Sequence, residues 1–264
     1  MYCHLWFSLS VFKSITRSDS YFNITNSAGI VGPDGRGYSF HQYNSLQVIP
    51  KLLAKDNDGI YFLKQSNTPA YTLQTDFDYR RLITPNTDIT LIAVYSVPTG
   101  LGNNSFGYSP ITLRGSNDGT SITNFRLDIS TWYDRANLTD KFVLYILSTK
   151  TSVEIGDDLD VVTNLQKAIG IARVGDLAGK KFCLMLERVH TGQHNIYVNG
   201  VLIYNYVDTS PIVSNFSVGK IRIGAPNTGA NNNSNVYDGA ALIRQLTDTE
   251  RIQYVEALRE AFKF

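Results

Sequence analysis

The sequence predicts an all-β protein, a sandwich of two antiparallel sheets with one amphipathic helix at its C-terminus. Three observations lead to this fold class. Short β-rich runs separated by turn residues recur along the chain, which is typical of a sandwich or barrel. Tyrosine and phenylalanine, 16 and 13 of the 264 residues, are abundant and suit a pleated, half-buried surface. A capped helical pattern then closes the chain.

Strands are predicted from β-rich composition and from the turn residues that separate the runs. The predicted strands are 71–76, 88–97, 111–114, 124–129, 141–148, 181–189, 195–198, 201–206, 220–224 and 240–244. The stretch 159–171 is ambiguous, because its first part fits a short helix whereas its end fits a strand.

The strands between residues 181 and 206 are predicted to form a three-stranded antiparallel meander. Its second turn is Asn199-Gly200, a dipeptide that tolerates the positive φ values of a type I′ turn. The twist of that turn matches the twist of the strands on either side of it. Cys183 lies in the first strand, where we interpret it as a small core residue rather than a reactive thiol.

The helix at the end of the chain is specified by its own residues. Thr247 lies three positions before Glu250, the spacing of a capping box. A stripe of apolar residues follows at intervals of three or four positions, Ile252, Val255, Leu258 and Phe262. We expect this stripe to pack on a sheet.

Three segments carry a resemblance to a known family: YVNGVLIYNY, KIRIGAP and YDGAALIRQLTDTERIQYVEALREAF. They are similar to the C-terminal part of the concanavalin A-like lectin/glucanase superfamily. Within it they most resemble the laminin G-like jelly rolls that are common in bacteriophage virion proteins and secreted bacterial proteins. The resemblance is detailed over about residues 180–264 and architectural upstream, and it implies a concanavalin A-like jelly roll.

The resemblance assigns residues 61–264 to the jelly-roll domain. Residues 1–60 are predicted to be an irregular N-terminal segment, either a docking arm or an edge of the sandwich. The first twelve residues are more apolar than a free terminus usually is. We therefore expect the segment up to about residue 26 to contact a neighbouring subunit in a homo-oligomer.

Charge and hydropathy argue against two classes of partner. The net charge of +1 and the isoelectric point near 7.7 do not fit a nucleic-acid surface, which needs concentrated lysine and arginine. Nor does any apolar run reach the length of a membrane span. We expect neither nucleic acid nor a membrane as a partner.

Patterns of catalytic residues are missing from the sequence. Glucanases of the resembling superfamily carry Glu-x-Asp-x-x-Glu along one strand, because hydrolysis needs two carboxylates at a fixed separation. The nearest run, residues 153–158, lacks that spacing and the final glutamate. His190 and His194 flank a tight loop, but zinc needs three or four ligands and no third is suggested nearby. The protein is predicted not to be an enzyme.

Sugar recognition is predicted for Trp132, Tyr133 and Asp134, which together supply an aromatic platform and a carboxylate. Asn231 and Asn233 lie in an asparagine-rich loop that would add amide groups. The alternative reading is that Trp132 packs in the core or at its rim and that the asparagine run is a solvated loop.

Calcium is the one ion that the sequence suggests. Asp157, Asp158 and Asp160 cluster within four residues, and hard cations bind several oxygen ligands from a compact turn. The cluster is not a complete calcium motif, and turn chemistry also explains acidic residues in such a loop. No other cofactor is predicted.

The function that these observations favour is that of a non-enzymatic virion structural protein. Such a protein would be a capsid decoration, head-fibre or tail-associated module located in the virion, with other virion proteins and host-surface glycans as partners. The resemblance, the lack of a catalytic pattern and the lack of a secretion signal support this hypothesis. A secreted carbohydrate-binding lectin is the alternative, and a polysaccharide-degrading glycosidase is less favoured.

Overall fold

The computed structural model describes residues 4–8, 14–18, 21–25, 39–42, 53–54, 60–62, 72–75, 79, 81–84, 86–96, 106–108, 110–114, 126–134, 139–146, 167–169, 179–207, 219–224 and 234–264. Within these ranges the protein consists of two β-sheets, in which every strand pairing is antiparallel, and one C-terminal helix. The predicted fold class, a β-sandwich with a closing helix, is confirmed.

The first sheet has eight strands. In spatial order they are β16 (Val201–Val207), β15 (Gln193–Val198), β14 (Lys181–Arg188), β8 (Ile89–Ser96), β18 (Ser234–Leu242), β6 (Ile60–Phe62) and β5 (Leu53–Ala54), with β1 (His4–Ser8) also paired to β18.

The second sheet has ten strands. Their order is β13 (Lys167–Ile169), β12 (Thr139–Ile146), β11 (Arg126–Asp134), β10 (Ile111–Arg114), β17 (Lys220–Gly224), β7 (Thr72–Thr75), β4 (Ser39–Gln42), β3 (Tyr21–Thr25) and β2 (Ser14–Ser18), with β9 (Phe106–Tyr108) paired to β11. The helix α1 spans Asp248–Phe262.

Strands from residues 1–60 join both sheets. β1 pairs with β18 and places Trp6 opposite Ala240. β2, β3 and β4 form one edge of the ten-stranded sheet, where Phe40 of β4 lies opposite Thr75 of β7. The contact of this segment with a neighbouring subunit stays a prediction.

Alternate residues of the eight-stranded sheet face the ten-stranded sheet. A small cavity between the sheets is lined by Leu91 and Ala93 of β8, Leu184 and Leu186 of β14, and Ile111 of β10. All five side chains are buried. They belong to the layer of aliphatic side chains that holds the two sheets together.

The intervening residues of β8 and β14 face outward and pack against α1. Ile92, Cys183 and Met185 join Leu258 and Phe262 of the helix in one buried cluster. Because β8 and β14 are covered on both faces, they are apolar without alternation. The prediction for Cys183 is confirmed: its side chain is 1% exposed, and burial raises the pKa of its thiol to about 12.

The helix begins at the predicted capping box. The Glu250 backbone N–H donates to Thr247 Oγ1 at 3.3 Å, and the Thr247 N–H donates to Glu250 Oε2 at 2.9 Å. Val255, Leu258 and Phe262 are buried as expected. The prediction for Ile252 is wrong: its side chain is 56% exposed, because Arg251 takes the inward position instead and reaches Glu187 under the helix.

Glu250 also makes a bidentate ion pair with Arg244, with N–O distances of 2.7 and 2.8 Å. Arg244 and Thr247 together lower the pKa of Glu250 from 4.5 to about 2. Because the pKa of Glu250 is lower in the folded than in the unfolded protein, its ionised carboxylate stabilises the fold. This stabilisation is complete above about pH 4.5 and disappears as the pH falls towards 2.

Glu250→Gln is therefore expected to lower the melting temperature at neutral pH, since glutamine keeps the capping box but not the ion pair. The difference from the wild type should shrink as the pH falls below about 4.5. Melting curves at a series of pH values measure this, and Glu256→Gln, which removes one exposed charge from the same helix, is the control. A difference that is constant with pH would contradict the assignment.

The turn between β15 and β16 has the predicted backbone conformation. Asn199 and Gly200 have φ values of 51° and 87°. The Asn199 side chain accepts a hydrogen bond from the Cys183 N–H at 2.8 Å, which ties the turn to β14. A Cβ atom on Gly200 would lie 3.1 Å from Val255 Cγ1, so the turn also lies against the helix.

Gly200→Ala is expected to destabilise the protein by more than about 1 kcal/mol, since alanine is strained at positive φ and its methyl group would crowd Val255. Denaturant unfolding measures the loss. Gly179→Ala is the matched control, because Gly179 also has a positive φ, 75°, but lies in an exposed loop. Equal losses at the two glycines would show that contact with the helix does not matter.

Candidate functional site

Trp132, Tyr133 and Asp134 form the end of β11 rather than part of a loop. The sequence predicted that this strand ends near residue 129. In the structure Trp132 lies opposite Gly107 of β9 on one side and Lys141 of β12 on the other. Pairing on both sides satisfies the backbone polar groups, which explains why the strand continues.

The pleat of β11 divides the three positions between two faces. Successive strand positions alternate, so those of Trp132 and Asp134 belong to one face and that of Tyr133 to the other. A site on one face of the sheet therefore combines Trp132 with Asp134.

The direction of the strands relates this site to the asparagine-rich segment. β10 is antiparallel to both β11 and β17, so β11 and β17 run in the same direction and end at the same end of the sheet. The chain leaves β17 there, after Gly224, and enters β18 at Ser234. Asn231 and Asn233 lie between these strands, outside the described residues.

The proposed calcium ligands Asp157, Asp158 and Asp160 lie between β12 and β13, outside the described residues. Calcium binding there stays a prediction. Among the residues that the structure describes, no group of three or more histidine, cysteine, aspartate or glutamate side chains could hold a metal ion. In the same part of the chain, no helix is long and apolar enough to span a membrane.

His190 and His194 have different environments. His190 is exposed, and its Nδ1 lies 2.6 Å from Asp88 Oδ1. His194 is buried and places its Nδ1 2.8 Å from the carbonyl oxygen of Gly192. Burial, together with nearby Arg188, lowers the pKa of His194 to about 3, so this residue is neutral at physiological pH. The two rings do not form one site.

A buried polar cluster under α1 was not predicted from the sequence. Glu187 of β14 is fully buried, accepts a hydrogen bond from Tyr197 Oη at 3.2 Å, and pairs with Arg251 Nη1 at 3.3 Å. Arg251 also contacts Asp248, and its guanidinium carbon lies 4.3 Å from the centroid of the Tyr197 ring. Burial and the Glu187 carboxylate raise the pKa of Tyr197 to about 12.

This cluster, Glu187, Tyr197, Asp248 and Arg251, attaches the helix to the sheet. Its carboxylate is covered by the helix and already bonded, so its role is structural. In the sequence this cluster is marked only by Glu187, an acidic residue that directly follows the apolar run 182–186.

No protein-family model matches the chain, and the comparison with curated proteins finds no match. Solved structures do match. A Trypanosoma rangeli sialidase, in complex with 2-keto-3-deoxy-D-glycero-D-galacto-2,3-difluoro-nononic acid, is 14% identical with a TM-score of 0.53. The match covers 94% of this chain and 32% of the sialidase.

Receptor-binding domains of botulinum neurotoxins match as well. The binding domain of botulinum neurotoxin DC, solved with rat synaptotagmin II, is 12% identical with a TM-score of 0.58, covering 91% of this chain and 52% of that one. A type C structure, whose report ties cell entry to two ganglioside molecules, is 13% identical with a TM-score of 0.54, covering 91% and 51%. At these identities the similarity shows the fold alone. The chain spans about a third to a half of the matched chains.

Proposed function

We propose that this protein is a non-enzymatic carbohydrate-binding module. The observation that carries the proposal is the fold similarity over 91% of the chain to the botulinum neurotoxin type C structure whose report ties cell entry to two ganglioside molecules. The sequence adds an aromatic residue and a carboxylate at Trp132 and Asp134, a combination typical of sugar sites.

The binding surface in this proposal is the end of β11, where β9 and β12 flank the strand. Trp132 offers a flat apolar face for sugar C–H groups, and Asp134, two positions on, accepts hydrogen bonds from hydroxyl groups. Asn231 and Asn233 would add amides, because their segment starts at the same end of the ten-stranded sheet. A calcium ion held by Asp157, Asp158 and Asp160 would be a separate element of the module.

The place of the module, in this proposal, is the surface of a phage particle, where it contacts other virion proteins and host glycans. The support is the resemblance of residues 180–264 to laminin G-like jelly rolls of virion proteins. Detection of the chain in purified particles by mass spectrometry tests this part, and its presence only in the secreted fraction would favour the lectin alternative.

Glycan binding is tested on an array that carries gangliosides and bacterial surface polysaccharides, followed by titration of any hit. Trp132→Ala is expected to weaken binding by about tenfold or more without changing the melting curve. Tyr133→Ala is the matched control, because its position belongs to the opposite face of β11.

Two outcomes would count against the module. If the wild-type protein binds no glycan on the array, only the structural role remains. If Trp132→Ala binds with unchanged affinity, the glycan site does not include Trp132. Release of reducing ends from a bound polysaccharide would instead favour the glycosidase alternative.

A further inference from the structure

The exposed apolar side chains of the described residues are concentrated on one strand. Among the described residues, four large hydrophobic side chains are exposed, and three belong to β16: Val201 at 65%, Leu202 at 47% and Val207 at 57%. The fourth is Ile252 of α1, at 56%. Single exposed apolar residues are common on protein surfaces, whereas a group on one side indicates a contact surface.

β16 is the edge strand of the eight-stranded sheet. Among the described strands it pairs with β15 on one side and with none on the other. Its seven residues, VLIYNYV, include no charge and no proline. Most soluble proteins protect an edge strand with charged residues, proline or a β-bulge, because its outward N–H and C=O groups are a template for another strand. β16 has one irregularity of register, between the pairs Ile196–Tyr204 and Tyr197–Leu202.

Ile252 lies on the flank of the helix that faces the β15–β16 turn. Arg259 Nη2 donates a hydrogen bond to the Asn199 carbonyl oxygen in that turn at 2.9 Å. Ile252 precedes Arg259 by seven positions, which is two helical turns, so both residues occupy the same flank. Ile252 therefore lies on the side of the helix nearest the turn from which β16 starts.

We propose that β16 pairs antiparallel with β16 of a second copy of this chain, so that the eight-stranded sheet continues across a two-fold axis. A strand of seven residues gives an edge about 23 Å long. Antiparallel pairing brings the two ends of the strand together, so Val201 of one copy approaches Val207 of the other.

The occupant is a second copy because the edge is complementary to itself. A strand without charge has no like charges to oppose when it meets its own copy, and a two-fold contact uses the same surface on both subunits. The contact also closes after two copies, because each sheet uses its own exposed edge. This proposal is independent of glycan binding.

Sedimentation velocity over a range of protein concentrations tests the contact. The wild type is expected to form a reversible dimer. Leu202→Lys and Val207→Lys each place a charge at the edge, and we expect either substitution to weaken dimerisation about a hundredfold or more. Ala257→Lys adds the same charge at an exposed helix position away from β16 and should leave the dimer intact.

A second variant does not rely on weakening the contact. Tyr204 is the middle residue of β16 and lies opposite its own copy when Val201 lies opposite Val207, so Tyr204→Cys should form an intermolecular disulfide under mild oxidation, whereas Ala257→Cys should not. The proposal is overturned by a wild type that stays monomeric, by a dimer that tolerates both lysines, or by a dimer in which Tyr204→Cys does not crosslink.

Discussion

Leu258→Ala is expected to lower the free energy of unfolding by about 2–5 kcal/mol, the usual loss when a buried leucine is truncated. The Leu258 side chain is 7% exposed and packs with Cys183 and Met185 in the cluster between the helix and the eight-stranded sheet. The substitution leaves a cavity where the helix meets the sheet. Denaturant unfolding and thermal melting both measure the loss.

Ile252→Ala is the matched control for this prediction. It shortens an aliphatic side chain in the same helix, but that side chain is 56% exposed, so a change within about 0.5 kcal/mol is expected. Both variants should be unfolded at two protein concentrations, so that any contribution from association is visible. Equal losses at the two positions would mean that the helix does not dock through the Leu258 face.

Glu187→Ala is expected to cost about 3 kcal/mol, near the lower end of the usual loss for a broken buried ion pair, because the guanidinium of Arg251 keeps only its contact with the exposed Asp248. The charge left behind is that of Arg251, whose side chain is 12% exposed. Tyr197 also loses the acceptor of its hydroxyl hydrogen bond. The loss appears as a lower midpoint in denaturant unfolding.

The double variant Glu187→Met with Arg251→Met separates pairing from packing. Apolar replacement of both partners is often close to neutral, so the double variant should be more stable than Glu187→Ala. A double-mutant cycle with the single methionine variants then gives the coupling energy between the two positions. Losses that simply add would show that Glu187 and Arg251 contribute independently.

The parts of the fold that could be predicted are those that neighbouring residues specify. β10 and β17 have the bounds that their β-rich runs predicted. The Asn199-Gly200 turn and the capping box at Thr247 were also predicted correctly, because each depends on residues only a few positions apart. In each case the local preference and the final structure agree.

Features that depend on distant residues could not be predicted in the same way. β18 begins at Ser234, in a stretch that reads as a polar loop, because pairing with β6 and β8 overrides its weak strand preference. The exposure of Ile252 could not be predicted from neighbouring residues. It depends on Arg251 turning inward to pair with Glu187, which lies 64 positions earlier in the chain. The strand predicted to end at residue 129 continues to Asp134, because it pairs with β9, which is too short to stand out in the sequence.

The position of β18 has a consequence for how the protein folds. The strand lies between β8 on one side and β1 and β6 on the other, and the hydroxyl groups of Ser96 and Tyr237, 141 positions apart, meet at 3.0 Å. During synthesis β8 is made long before β18. Its apolar residues therefore stay unpaired on that side until β18 is made and the long intervening loop closes. Topologies with such distant contacts fold slowly and expose strand edges meanwhile. Yield in a cell should therefore depend on chaperones and on temperature more than on the final stability of the sandwich.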